Sequence, residues 1–155
     1  METAGSVRIE SLIPHRGAMR LLDRVVEVDD SHVVAELEVP YDGLFVHDGQ
    51  VPSWIGIEYM AQAVAAWAGA RARERGGAPR PGLLLGTRRY DAHCDGFPSG
   101  ALLRVEARCE LMGANGLGLF DCRVVMDGRD AAVARISVID PPEGSEDLLK
   151  PRAAP

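Results

Sequence analysis

The stretch "VHDGQVPSWIGIEYMAQAVAAWAG", Val46 to Gly69, decides the fold. From Trp54 to Gly69 every residue is apolar or small except Glu58, Tyr59 and Gln62. Ser53 stands where an N-cap would, and Gly76 and Gly77 stand where a helix would stop, so one helix is expected from Ser53 to about Arg75. Its surface is apolar almost all round. Such a helix needs a sheet wrapped about it and a partner surface for what the sheet leaves uncovered.

The flanking sequence supplies that sheet. "RLLDRVVEVDD" and "HVVAELEVP" are β-branched runs on either side of a polar turn at Asp29, Asp30 and Ser31, the pattern of a hairpin. "RIESLIPH" before them reads as a short helical turn ended by Pro14, and "YDGLFVHDGQVP" after them reads as a loop. Beyond the helix come "GLLLGTRRYDAHC", "ALLRVEARCELM", "LGLFDCRVVMD" and "AAVARISVI", separated by the turn signals "DGFPSG", "GANG" and "DGRD". Two strands, one long helix and four strands predict an α+β fold with an antiparallel sheet curled around a central helix. One domain is expected over residues 1–140. Residues 141–155, rich in proline and charge, read as a disordered tail.

Composition narrows the function classes. The chain has 155 residues, 46% hydrophobic and 26% charged, enough for one domain with a real core. A net charge of −6 argues against a general nucleic-acid surface. The first residues lack a basic stretch followed by an apolar one, so no signal peptide is expected. The central apolar run is shorter than about 18 residues and holds a carboxylate, which argues against a membrane span. Cys94, Cys109 and Cys122 form no CxxC, and the odd, widely spaced set suggests reduced thiols in a cytoplasmic protein. Metal-ligand spacing, P-loop, GxGxxG and GxSxG patterns are all missing from the sequence, so no metal and no cofactor are expected.

Glu58 and His47 are the candidates for chemistry. At helical spacing Glu58, Gln62, Ala65 and Gly69 share a face. A carboxylate in an apolar helix is costly unless hydrogen-bonded, and such groups cluster at functional sites because they can hold or release a proton. The alternative is a Glu58–Gln62 pair that only fills a polar gap between subunits. His47 lies in the loop leading into the helix. A histidine and a carboxylate meeting at a helix N-terminus suit acid–base work, with helix amides available to polarise a carbonyl. A lone loop histidine is otherwise most often a surface residue. The arginines Arg71, Arg73, Arg75, Arg80, Arg88 and Arg89 crowd the helix end and the next strand. They read as a solvated helix C-terminus, or as a docking patch for an acidic carrier.

Three stretches resemble one family. "PSWIGIEYMAQ" (Pro52 to Gln62) is similar to the "PGVLxxEAMAQ" helix start of the hotdog-fold β-hydroxyacyl-acyl-carrier-protein dehydratases. "IESLIPHRGAMRLLDRV" (Ile9 to Val25) resembles their "LLPHRyPFLLVDRV" opening, and "GFPSGALLRVEA" (Gly96 to Ala107) their entry into the next strand. The branch most similar is the 3-hydroxyacyl-carrier-protein dehydratases associated with aryl-polyene-type pathways. The resemblance implies a hotdog fold and dehydration of a 3-hydroxyacyl thioester to the trans-2-enoyl thioester, in fatty-acid or polyene-type lipid synthesis. It implies His47 and Glu58 as the catalytic pair, a glutamate matching the plain dehydratases rather than the aspartate of the dehydratase-isomerases. Ser53, Gly56, Gln62 and Ala65 would face substrate, with Ala65 and Gly69 leaving room for an acyl chain. His15 matches the "LPH" histidine and reads as a packing or turn residue. The partners implied are an acyl carrier protein or coenzyme A thioester, and a second hotdog subunit, identical or related. Two departures stand out: the histidine loop is shorter by roughly three residues than "GHFPxxPVMPG", and Ser53 replaces the glycine of "PG". The rival functions are a hotdog thioesterase and a non-catalytic acyl-binding subunit beside an active dehydratase.

Overall fold

A computed structural model describes residues 7–77 and 82–139. The tail read at 141–155 and Arg80 lie outside the described residues. The elements in chain order are β1 (Val7–Arg8), a 3-10 turn (Ile9–Ser11), a second (Gly17–Met19), β2 (Arg24–Val28), β3 (His32–Glu38), β4 (Gln50–Pro52), a 3-10 turn (Ser53–Ile55), α1 (Gly56–Glu74), β5 (Leu83–Ala92), β6 (Gly96–Pro98), β7 (Leu102–Met112), β8 (Leu117–Met126) and β9 (Arg129–Ile139).

Seven strands form one sheet in the order β1-β2-β3-β7-β8-β9-β5, with every neighbouring pair antiparallel. Helix α1 lies across one face and packs on β7, β3 and β8. This is the hotdog architecture. Alternation along the strands sends Leu103, Val105 and Ala107 of β7, and Phe120, Cys122 and Val124 of β8, towards the helix. Trp67 of α1 meets Phe120 edge-on at 5.3 Å, and its indole N–H donates to the Asp29 carbonyl at 3.1 Å. Burial of a side chain of this size contributes about 1.5–3 kcal/mol, so the helix is held chiefly by its apolar faces. Among the described residues, no helix is long and apolar enough to cross a membrane.

Two sequence expectations need correction. The segment read wholly as a loop contains β4, which pairs with β6 as a separate two-stranded ribbon, Val51 opposite Phe97. Both residues are buried, and Phe97 packs against Tyr59 with ring centroids 5.5 Å apart. Ser53 does not cap the helix. It opens a 3-10 turn that carries no side-chain cap, and regular α-helix begins only at Gly56. The ribbon and this turn together support the N-terminal end of α1.

Candidate active site

Glu58 sits in the first turn of α1, where the helix dipole favours a negative charge. Its side chain is one-third exposed, so the helix does not bury it. Gln62, one turn on, is completely buried, and its amide is fully engaged. Its Oε1 accepts the Leu21 N–H at 2.9 Å, while its Nε2 donates to the Met19 carbonyl at 2.7 Å and to Glu58 Oε1 at 3.1 Å. Gln62 therefore cannot face substrate as the sequence suggested; it ties the carboxylate to the segment before β2. The second neighbour of Glu58 is His15, with Nε2 at 3.8 Å from Oε1. The sequence treated His15 as a packing or turn residue. Only tertiary structure brings it here, because it lies in a different element far from Glu58 in sequence.

His47 belongs to a tight turn. Its N–H donates to the Gln50 carbonyl at 2.8 Å, and Gln50 donates back at 3.2 Å. The central residues Asp48 and Gly49 both have positive φ, 51° and 76°, which explains the Asp-Gly pair there. The turn is also anchored by Ser99, whose N–H donates to the Gly49 carbonyl at 3.0 Å. His47 itself is 86% exposed, and the carboxylate near it is Asp48 at 3.4 Å. No hydrogen bond or ion pair among the described residues joins His47 to Glu58 within one chain.

The small residues divide. Ala65 is half-buried against the core. Gly56 is tightly packed: a Cβ there would stand 2.1 Å from the Tyr90 hydroxyl and 3.3 Å from Phe97. Its N–H donates to the Ser53 and Trp54 carbonyls, so it is not a free donor for a substrate oxygen. Tyr90 donates to the Ser53 carbonyl at 2.5 Å, and burial, aided by nearby Cys94, pushes its phenol up to about 12. Gly69 does not leave room for an acyl chain. A Cβ on it would lie 1.8 Å from the Leu12 carbonyl oxygen, so the chain's own backbone fills that space.

The arginines at the helix end are largely committed. Arg71 lies 5.0 Å over the Trp67 ring and 3.5 Å from Asp30, Arg73 donates to Ser11 at 3.4 Å, and Arg89 pairs with Asp91. The solvent face of the sheet carries further charges paired across strands, Arg123 with Glu106 and Arg135 with Asp121. Glu27, Asp29 and His32 place one ligand atom each within 4.8 Å of one another. Asp29 is already accepting the Ser31 N–H at 2.9 Å in a local turn, which accounts for its position without an ion.

Comparison with known proteins places this geometry. The model of the ApeP-like family, described as ApeP dehydratase, matches residues 7–150. The 3-hydroxyacyl-[acyl-carrier-protein] dehydratase FabZ of Streptococcus pyogenes serotype M5 is 39% identical over 59 residues, which are 35% of this chain and 42% of that protein. The chain thus matches less than half the length of that relative. Among solved structures, the dehydratase heterocomplex ApeI:P from Xenorhabdus doucetiae is similar with a TM-score of 0.84 and 29% identity, covering 92% of this chain and 97% of that one. The TT0310 protein from Thermus thermophilus, with a TM-score of 0.57 and 18% identity over 74% of this chain and 88% of that one, shares the fold alone.

Proposed function

Because this chain belongs to the ApeP-like dehydratase family, we propose that it dehydrates a 3-hydroxyacyl thioester to the trans-2-enoyl thioester, with His47 and Glu58 as the reacting groups. The observation that carries this reading is the placement of Glu58. It is a part-exposed carboxylate in the first turn of the buried helix, held by an amide whose remaining bonds all go to the 19–21 segment. His47 would take the proton from C2. The electrons of that C–H bond form the C2–C3 double bond as the C3–O bond breaks, and Glu58 gives its proton to the departing hydroxyl, releasing water. Amides of the Ser53–Ile55 turn would polarise the thioester carbonyl while negative charge builds on it. The reaction uses no redox step, and the acyl group would arrive on an acyl carrier protein or coenzyme A.

The site is completed by a second hotdog subunit. His47 is displayed to solvent on a hydrogen-bonded turn and makes no ion pair with its own Glu58. Trp54 beside the helix start is 63% exposed, and Tyr41, Leu44 and Met19 are exposed near the same segments. A partner, identical or a related chain, would cover this apolar surface and bring its own histidine to Glu58. The similar ApeI:P structure is a heterocomplex, which supports a related chain as one form of that partner.

The test is incubation with a 3-hydroxyacyl-pantetheine thioester, reading enoyl absorbance, free thiol and acyl mass. Enoyl product is expected, and His47→Ala and Glu58→Gln should each lower the rate on the order of a hundredfold or more with the fold intact. Free thiol without enoyl product would make the protein a thioesterase. Binding without either product, alone and with a related hotdog subunit added, would make it an acyl-binding subunit.

A further inference from the structure

His15 is the histidine that stands beside Glu58 in its own chain, and the surroundings of its two ring nitrogens differ. Nε2 faces Glu58 Oε1 at 3.8 Å. That is too long for a hydrogen bond, but catalytic contacts are often loose before substrate binds. Nδ1 is buried and has no hydrogen-bond partner among the described residues. A proton on Nδ1 would be a buried donor without an acceptor, a costly arrangement, whereas an unprotonated Nδ1 is an acceptor left idle. The geometry favours the neutral ring with its proton on Nε2, aimed at the carboxylate.

The backbone holding this ring is fixed from several sides. Arg16 donates to the carbonyls of Ile13, His15 and Glu10 at 2.5, 2.8 and 2.8 Å. The Leu12 carbonyl sits against Gly69, and Gln62 holds the backbone at Met19 and Leu21. The nearby charges are otherwise engaged. Arg20 pairs with Glu10 at 3.2 Å, and Asp23 accepts the Glu38 N–H at 2.7 Å. Among the described residues no guanidinium lies within ion-pair distance of Glu58.

We infer that His15 is a positioning residue for Glu58: its Nε2–H and the Gln62 amide both address Oε1 without adding positive charge, and leave Oε2 to the reaction. A cation in either place would favour the bare carboxylate and oppose the proton that Glu58 must carry to the leaving hydroxyl. Two neutral donors on Oε1 fix the group more weakly than a cation would, and the proton is carried by Oε2, which neither of them addresses. The inference rests on Glu58 being the acid of the proposed reaction.

The test exploits the difference between the two nitrogens. His15→Gln places an amide nitrogen near the position of Nε2, while His15→Asn places one only near Nδ1, and His15→Phe keeps the ring without a donor. In the dehydration assay His15→Gln should retain kcat within about threefold, and the Asn and Phe variants should lose about tenfold or more in kcat with little change in KM. Full activity in His15→Phe, or equal loss in Gln and Asn, overturns the inference. A second measurement does not depend on turnover. Long-range 1H–15N spectra of the wild-type protein should show His15 as the Nε2–H tautomer, identified by its loss in His15→Gln, and Glu58→Gln should shift its resonances. The opposite tautomer, or resonances unmoved by Glu58→Gln, overturns it as well. If the spectra agree and the wild type yields no enoyl product, it is the proposed reaction that fails, not the pairing.

Discussion

Gln62 makes three hydrogen bonds with a side chain that has no solvent exposure, and those bonds join three pieces of the site. Replacing it with leucine, which is close in size, would leave the Leu21 N–H and the Met19 carbonyl without their partners. Both bonds are part-buried, so losing each costs about 1 kcal/mol, and Glu58 would lose its only direct hydrogen bond among the described residues. Gln62→Leu is therefore expected to lower the melting temperature by several degrees and to lower kcat as well, read by thermal unfolding and the enoyl assay. A variant with unchanged stability would mean that the 19–21 segment is held by something else. At this scale the sequence was partly legible. Helical spacing alone puts Gln62 beside Glu58. It could not reveal that the amide also grips backbone 41 and 43 residues away, nor that His15 completes the surroundings of the carboxylate. Those contacts are made by the path of the chain, and local pattern carries no record of them.

Helix α1 shows why element positions were easier to read than their purposes. The long strands follow from β-branched runs between Asx and glycine turns, and they appear where those runs lie. The β4–β6 ribbon did not show because each strand is three residues long, too short for alternation, and the helix and β5 separate them. Gly69 illustrates the other difficulty. A glycine in a helix says that something approaches closely, without saying what. Here the Leu12 carbonyl occupies the space, at a distance a methyl group cannot share. Since the obstacle is backbone, Gly69→Ala should force the Ile9–Leu12 segment away from the helix and cost about 1–3 kcal/mol, the range for overpacking. The displaced segment leads directly to His15, so activity should fall more than in a Gly→Ala control at Gly77, where the nearest atom to an added Cβ is the Ala72 carbonyl oxygen at 3.3 Å rather than 1.8 Å. Denaturant midpoints together with kcat would check this. Equal stability in the two variants would show that the segment can shift at no cost.

The molecule as a whole raises the question of how His47 and Glu58 act together when one chain keeps them apart. The histidine is held by a tight turn, faces solvent and makes no ion pair with the Glu58 of its own chain. A two-fold partner can deliver it, because each subunit then presents one histidine and one glutamate to the other. Each site would consist of Glu58 from one chain and the partner subunit's His47. A dimer mixing His47→Ala and Glu58→Ala chains would then contain one intact site and one that lacks both groups. Random exchange makes half the dimers mixed, so unfolding and refolding the two inactive variants together should restore about a quarter of wild-type activity. Each variant refolded alone should stay inactive. Mass spectrometry under native conditions would establish that the chains have exchanged. Exchange without restored activity would mean that the two residues do not meet across an interface between identical chains. The same experiment can then be run with a related hotdog subunit. There, Glu58→Ala in this chain tests whether this chain supplies the acid, and His47→Ala tests whether it supplies the base. Loss in only one of them would assign this chain a single half of the reaction, and the exposed turn at His47 would then be the first place to look for what differs.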